Sequence, residues 1–253
     1  MNGTSLGIYA NGFTGPYQMG VDSKTNLFLA DWGGNVYKFT PDGTQSVFAS
    51  GLHHPVGLAI DTADNVFVSD WYASWLEGTP GFIYKFTPSG VQSTFASGLW
   101  EAHGLAFDGS GNLFLADMGS YQITKFTPAG TPSVFATGLQ PMGLAFDGAG
   151  YLYASDWFSD SILKYTPGGS SSTFASGFND PYGLTFDPAG NLYEANSGNG
   201  TIYKITPDGT SSLLVTGLTG STYLTFMVPE PSTCTLLGFG LGLMSFLRRR
   251  RKD

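Results

Sequence analysis

Carboxylates are the most conspicuous chemical groups in this chain, and they come in series. Asp31, Asp70, Asp117 and Asp156 each end a phrase close to Asn-Leu-Phe-x-Ala-Asp, with Asn196 in the fifth position. Asp22, Asp61, Asp108, Asp147 and Asp187 end phrases close to Gly-Leu-Ala-Phe-Asp. Lys38, Lys85, Lys125, Lys164 and Lys204 recur inside Ile-Tyr-Lys-Phe-Thr-Pro. Carboxylates that converge in space can hold a hard cation or move protons. A group repeated in nearly every unit is better read as part of what builds the unit. The Asp31 series is therefore expected to accept backbone N–H bonds in the turn after the second strand, and the Asp22 series and the lysines are expected to be structural too. The single cysteine, Cys234, begins an apolar tail, and no Ser-His-Asp spacing points to a nucleophile. Cys234 reads as a small apolar filler, with lipidation as the alternative.

The repeat that carries these groups sets the architecture. The Asp22 series steps by 39, 47, 39 and 40 residues. A fourth phrase, Ser-x-Phe-Ala-Ser-Gly, is centred on Phe48, Phe95, Phe135, Phe174 and Leu214. Each phrase is a short run of apolar and aromatic residues closed by Gly, Pro, Asp or Asn, which is strand chemistry with turn punctuation. Pro41-Asp42-Gly43 and Pro207-Asp208-Gly209 force tight reversals, because Pro presets φ and Gly accepts positive φ. No repeat window shows helical periodicity. Four short strands in about 40 residues are the arithmetic of a propeller blade. Small residues such as Ala59, Ala106 and Ala145 are expected where the inner strands crowd. Thr4–Gly12 matches a fourth strand and Thr222–Phe226 a first strand. The expected fold is thus an all-β propeller of five full four-stranded blades plus a partial sixth, over residues 1–227. Met1–Gly7 lacks the basic and apolar regions of a signal peptide, so the natural N-terminus is expected to lie further upstream.

Composition narrows the partners. Residues 1–227 carry 17 acidic and 6 basic side chains, while five of the eleven bases crowd into the tail. An acidic propeller repels phosphate backbones, so nucleic acid is not an expected partner. One cysteine leaves no intrachain disulfide and no Cys-based zinc site.

The tail, residues 228–253, has three parts: Val228-Pro-Glu-Pro-Ser232, an apolar stretch over 233–247, and the basic run 248–252. The apolar part reads as a short transmembrane helix with its arginines on the cytoplasmic side. The order of the three parts resembles the PEP-CTERM sorting signal of exported bacterial proteins. That resemblance implies an exosortase as processing partner, acting near Pro229, Glu230 and Pro231. It also implies membrane anchoring before processing and a cell-surface or extracellular-matrix destination afterwards.

Pro-x-Gly-Leu-Ala-Phe-Asp-x-x-Gly-Asn-Leu-Phe-x-Ala-Asp, repeated over Gly12–Thr216, resembles the NHL repeats and the related SMP-30/gluconolactonase-like propellers. In the enzymes of that group a metal sits at the mouth of the central channel. The corresponding positions here read Tyr17, Val56, His103, Met142, Tyr182 and Thr222. They offer one imidazole, with Glu101 close by in sequence, and zinc or calcium needs more donors. Glu101 and His103 are therefore only weak metal candidates, and neither a cofactor nor a catalytic residue is assigned. His53 and His54 read as solvated turn residues.

What departs from the repeat is aromatic. Trp32, Trp71 and Trp157 follow the turn carboxylates. The second unit is longer by about seven residues around Trp75. Together with Tyr17, His103 and Tyr182 these define a candidate ligand-binding face, since aromatic platforms stack on sugars and peptides. Packing of the same tryptophans between blades is the alternative. The expected function is a non-catalytic surface module that binds carbohydrate, such as exopolysaccharide, or peptide. The alternative is a metal-dependent lactonase-like or lyase-like enzyme.

Overall fold

The computed structural model describes residues 12–71, 80–218, 223–227, 235–240 and 243–247. Blade one holds β1 (Pro16–Val21), β2 (Leu27–Asp31), β3 (Asn35–Phe39) and β4 (Gln45–Ser50). Blade two holds β5 (Pro55–Ile60), β6 (Val66–Asp70), β7 (Gly81–Phe86) and β8 (Gln92–Leu99). Blade three holds β9 (Ala102–Phe107), β10 (Leu113–Asp117), β11 (Gln122–Phe126) and β12 (Pro132–Thr137). Blade four holds β13 (Pro141–Phe146), β14 (Leu152–Asp156), β15 (Ser161–Tyr165) and β16 (Ser171–Ser176). Blade five holds β17 (Pro181–Phe186), β18 (Leu192–Asn196), β19 (Thr201–Ile205) and β20 (Ser211–Val215). Each blade is an antiparallel sheet in chain order. After blade five come β21 (Tyr223–Met227), β22 (Thr235–Gly240) and β23 (Leu243–Leu247), which form a three-stranded sheet.

The burial of each strand follows from its place in the blade. Second strands such as β6 and β10 are buried at every position, because a middle strand has a neighbouring blade on both faces. Fourth strands form the exposed outer rim and start with three exposed residues. The hairpins between first and second strands depend on the Asp22 series. Asp22 Oδ1 accepts the N–H groups of Lys24 at 3.0 Å and Asn26 at 2.8 Å, and Asp61, Asp108, Asp147 and Asp187 repeat this pattern. Between third and fourth strands, Gly43 takes φ +88° and its N–H reaches Thr40 O at 2.8 Å.

Blades are joined by aromatic layers. Phe67 stands edge-on to Phe95 of its own blade at 5.0 Å and to Phe107 of the next at 5.1 Å. Phe114 and Tyr153 repeat this arrangement. Burying one such ring stabilises the fold by about 1.5–3 kcal/mol. The repeated lysines lie over these rings, with Lys85 Nζ 5.2 Å from the Phe67 centroid and 4.0 Å from Asp61. They are structural, as expected.

Around the axis the inner strands touch in the order β1, β5, β9, β13, β17, β21, and β21 returns to β1. The propeller is therefore five four-stranded blades and an extra strand at a sixth position. The tightest approach between inner strands falls one pleat before Ala59, Ala106 and Ala145, at glycines. A Cβ on Gly57 would lie 2.1 Å from His103 O, and one on Gly143 would lie 2.1 Å from Tyr182 O. The alanines pack in the layers between blades instead.

Several expectations fall on residues outside the described set. The fourth strand at Thr4–Gly12 does so except for Gly12; Trp75, Thr222, Cys234 and the processing site at Pro229, Glu230 and Pro231 do so entirely; and the transmembrane helix over 233–247 does so in part. No described helix is long and apolar enough to cross a membrane.

Candidate functional site

One face of the ring is assembled the same way in every blade. The turn after each second strand bonds to the connection that enters the same blade. Trp32 N–H donates to Gly15 O at 2.8 Å, Trp71 to His54 O at 2.9 Å and Trp157 to Gln140 O at 3.0 Å. Met118 and Ser197 repeat this with Glu101 and Asp180. The Asp31 series locks the same junction. Asp31 accepts Gly15 N–H at 2.7 Å, Asp70 accepts His54 N–H at 2.7 Å and Asp156 accepts Gln140 N–H at 2.9 Å. Asn196 takes Asn179 N–H at 2.6 Å. These acceptors are structural, but their main donors come from the incoming connection rather than from their own turn. Asp117 is the weakest member: its bond from Ser120 N–H is 3.3 Å long, and burial pushes it up to about 6.

On this face the rings close into a cup. Trp32 meets Trp71 edge-on at 5.0 Å, and Trp71 lies 5.8 Å from His103. His103 meets Tyr182 at 5.8 Å, and Tyr17 lies 6.2 Å from Tyr182 and 5.7 Å from Trp32. Blades one, two, three and five each contribute. Val56, Met142, Tyr182 and Tyr223 form the buried floor, with Tyr17, Trp32, Trp71 and Met118 half-buried above it. His54 stacks on the outer side of Trp32 at 4.1 Å and 12°, and its Nδ1 lies 3.2 Å from Trp32 O. His54 is thus a packed residue rather than a solvated turn residue, because the indole face beside it shields one side of its ring.

Tyr182 Oη lies 2.9 Å from His103 Nδ1. Burial pulls His103 down to about 4, so the imidazole is neutral at neutral pH. Glu101, at φ +51°, is partly exposed, and burial raises its carboxyl. Its charge raises Tyr182 further, after burial and the neighbouring tyrosines. Among the described residues no three His, Cys, Asp or Glu side chains gather as a metal site would require. Of the candidate face, Tyr17, Trp32, Trp71, His103 and Tyr182 come together. Trp157 stands apart in blade four, 36 % exposed, beside Phe158 at 80 %.

Solved structures of gluconolactonases and lyases resemble this chain along nearly its whole length. A structural-genomics structure assigned as a gluconolactonase covers 96% of this chain and 92% of its own, at 19% identity and TM-score 0.79. XC5397 of Xanthomonas campestris, described as a gluconolactonase, covers 96% and 89%, at 17% identity and TM-score 0.80. Virginiamycin B lyase from Staphylococcus aureus covers 98% and 89%, at 14% identity and TM-score 0.68. The chain is a gluconolactonase-like β-propeller in fold. The model of the PEP-CTERM protein-sorting motif matches residues 228–252, so this propeller carries a signal for export and a cell-surface destination. No curated protein matches it.

Sequence reasoning missed the residues that seat the cup of this gluconolactonase-like propeller. Ser69 Oγ accepts Gly57 N–H and donates to His103 O, both at 2.7 Å. Ser155 Oγ accepts Gly143 N–H at 2.8 Å and donates to Tyr182 O at 2.6 Å. Each serine fixes the backbone of one of the two hydrogen-bonded rings. The only sequence signal was Ser in place of Ala before Asp70 and Asp156. Two further side chains fill the axis below. Gln18 accepts the N–H groups of Leu58 and Leu105, each at 3.0 Å, and donates to Leu105 O at 2.9 Å. Tyr223 Oη donates to Met142 O at 3.1 Å. Both occupy the pleat that is glycine in blades two to five. Thr222, read as the sixth mouth position, is outside the described residues, and its neighbour Tyr223 is the one on the cup floor.

Proposed function

We propose that this propeller is an exported surface module whose aromatic face binds a carbohydrate without chemical turnover. The observation that carries this reading is the closed cup of Trp32, Trp71, His103, Tyr182 and Tyr17. Sugar rings present C–H faces that lie against aromatic rings, and the half-buried Tyr17, Trp32 and Trp71 are the rings of the cup that a sugar can meet. Trp157 and Phe158, exposed on blade four, are a separate aromatic pair. Peptide is the alternative ligand on the same rings. The PEP-CTERM motif implies processing by an exosortase, and exopolysaccharide outside the cell supplies a ligand of suitable chemistry.

A metal-dependent lactonase-like activity is the second reading. Its support is the fold of the neighbours and the proximity of Glu101 to His103. Two donors do not complete a zinc or calcium shell.

The deciding experiment is thermal unfolding of the propeller with neutral oligosaccharides, with peptides and with divalent metal ions, each alone. A ligand at 100 times its dissociation constant stabilises by about 2.7 kcal/mol. Stabilisation by a saccharide, lost in Trp32→Ala and Trp71→Ala, is expected. Stabilisation by metal alone, lost in His103→Ala, overturns the binding-module reading in favour of the enzyme.

A further inference from the structure

The sixth position of the ring holds, among the described residues, a three-stranded sheet in place of a four-stranded blade. Leu27, Leu29 and Phe39 of blade one form a buried cluster on the side of the sixth position, with Leu29 at 0 % exposure. On the other side, Tyr193, Ala195 and Ile202 of blade five are buried with Leu224 of β21. In blade three the positions equivalent to Leu27, Leu29 and Phe39, namely Leu113, Leu115 and Phe126, pack on blade two. Among the described residues, no four-stranded repeat blade lies on that side of blade one. Among the described residues, β21, β22 and β23 occupy the sector.

β22 and β23 have the dimensions that blade six lacks. They span Thr235–Gly240 and Leu243–Leu247, six and five residues, against five for the second and third strands of most other blades. They pair antiparallel in the order of a blade, with Thr225 opposite Leu237 and Leu237 opposite Phe246. Neither contains a charged residue. Both lie inside the PEP-CTERM match, and residues 228–234, which link β21 to β22, contain Val228-Pro-Glu-Pro-Ser232.

We propose that, in water and before processing, the apolar part of the sorting signal serves as the second and third strands of blade six. The same uncharged residues then have two destinations, a membrane or the open sector of the propeller. Both remove apolar surface from water. Cleavage near Pro229–Pro231 would cut the connection from β21 to β22. Departure of the cut segment would leave the edge of β21 and the apolar side of blade one open to a strand from elsewhere.

Cross-linking of the full chain in Cys234→Ser background tests the register. Thr225→Cys with Leu237→Cys puts two thiols at directly opposed strand positions, within disulfide reach. Thr225→Cys with Phe239→Cys is the out-of-register control. In detergent-free buffer the first pair is expected to oxidise at least about ten-fold more than the second, read by mass spectrometry of non-reduced digests. Equal oxidation of the two pairs, or none, overturns the proposal. Hydrogen exchange of the unaltered monomeric chain provides a readout that depends on no substitution. Amides of 235–240 and 243–247 are expected to exchange far more slowly than an unfolded peptide, and exchange at the unfolded rate overturns the proposal.

Discussion

Blades two to four and the arc formed by blades five, six and one solve the same packing problem differently. In the regular half, a glycine lets each inner strand lean on its neighbour's backbone. Gly57, Gly104 and Gly143 all sit where a Cβ would meet a carbonyl oxygen at 2.1–2.5 Å. In the irregular arc blade five keeps that glycine as Gly183, while blade one and the sixth position carry Gln18 and Tyr223, whose long side chains cross the axis to blades three and four. The arc also holds Glu194, at 0 % exposure, where other blades have Leu29, Val68, Leu115 or Ala154. Backbone-to-backbone contact thus closes the regular half, whereas polar side chains close the arc. A ring built from imperfect repeats concentrates its exceptions at the seam.

The comparison breaks most severely at a glycine. Gly143→Val is expected to cost about 4 kcal/mol, because its β-carbon has no room against Tyr182 O and the strand must move. Urea denaturation measures this, and a cost below about 1 kcal/mol would mean that the crowding is relieved cheaply. Gln18→Leu comes next, at about 3 kcal/mol. It keeps the volume but strands the N–H groups of Leu58 and Leu105 and the carbonyl of Leu105, and unsatisfied buried groups cost more than the bond itself. If Gln18→Leu unfolds at the same urea concentration as the parent chain, those groups have other partners.

Glu194 sharpens the comparison with the opposite sign. Burial pushes its carboxyl up to about 9, against one bond from Asn196 Nδ2 at 2.7 Å, and its Oε1 has no partner among the described residues. Between the ordinary carboxylate range and pH 9 the folded chain keeps this proton while the unfolded chain loses it. Stability therefore falls as pH rises through that window, by up to about 1.4 kcal/mol per pH unit, and levels off above it. Glu194→Leu is expected to stabilise the protein by about 2 kcal/mol at pH 8 and by much less at pH 5. Thermal unfolding at the two pH values checks this, and a gain independent of pH would remove ionisation as the cause. The smallest effect belongs to the regular half. Lys85→Met removes a half-exposed pair to Asp61 and is expected to change stability by no more than about 0.5 kcal/mol, with no dependence on salt beyond that. A larger loss would give the repeated lysines more weight in the fold than a surface ion pair carries.

Much of this was legible in the chain itself. The period, the turn residues and the uniform aromatic positions led to five blades, because each depends on neighbours within about 40 residues that recur in order. The Asp22 hairpins were legible for the same reason. The partners of the Asp31 series were harder to read, since their donors lie about 16 residues upstream in sequence and only the blade brings them back. Trp32, Trp71, His103, Tyr17 and Tyr182 could be named as exceptions to the repeat, but not as one closed cup. Ser69 and Ser155 were hidden because Ser for Ala is a small change whose meaning depends on a carbonyl of the next blade.

The sequence by itself determined the repeat, the strand chemistry, the acidic surface and the sorting signal, because these follow from local residue types and their spacing. Only the tertiary structure decided how the ring closes, that Gln18 and Tyr223 fill its axis, and that five aromatic rings from four blades meet at one mouth. Those outcomes depend on which strands become neighbours around the axis, and contacts between residues 80 positions apart leave no periodic trace in the chain.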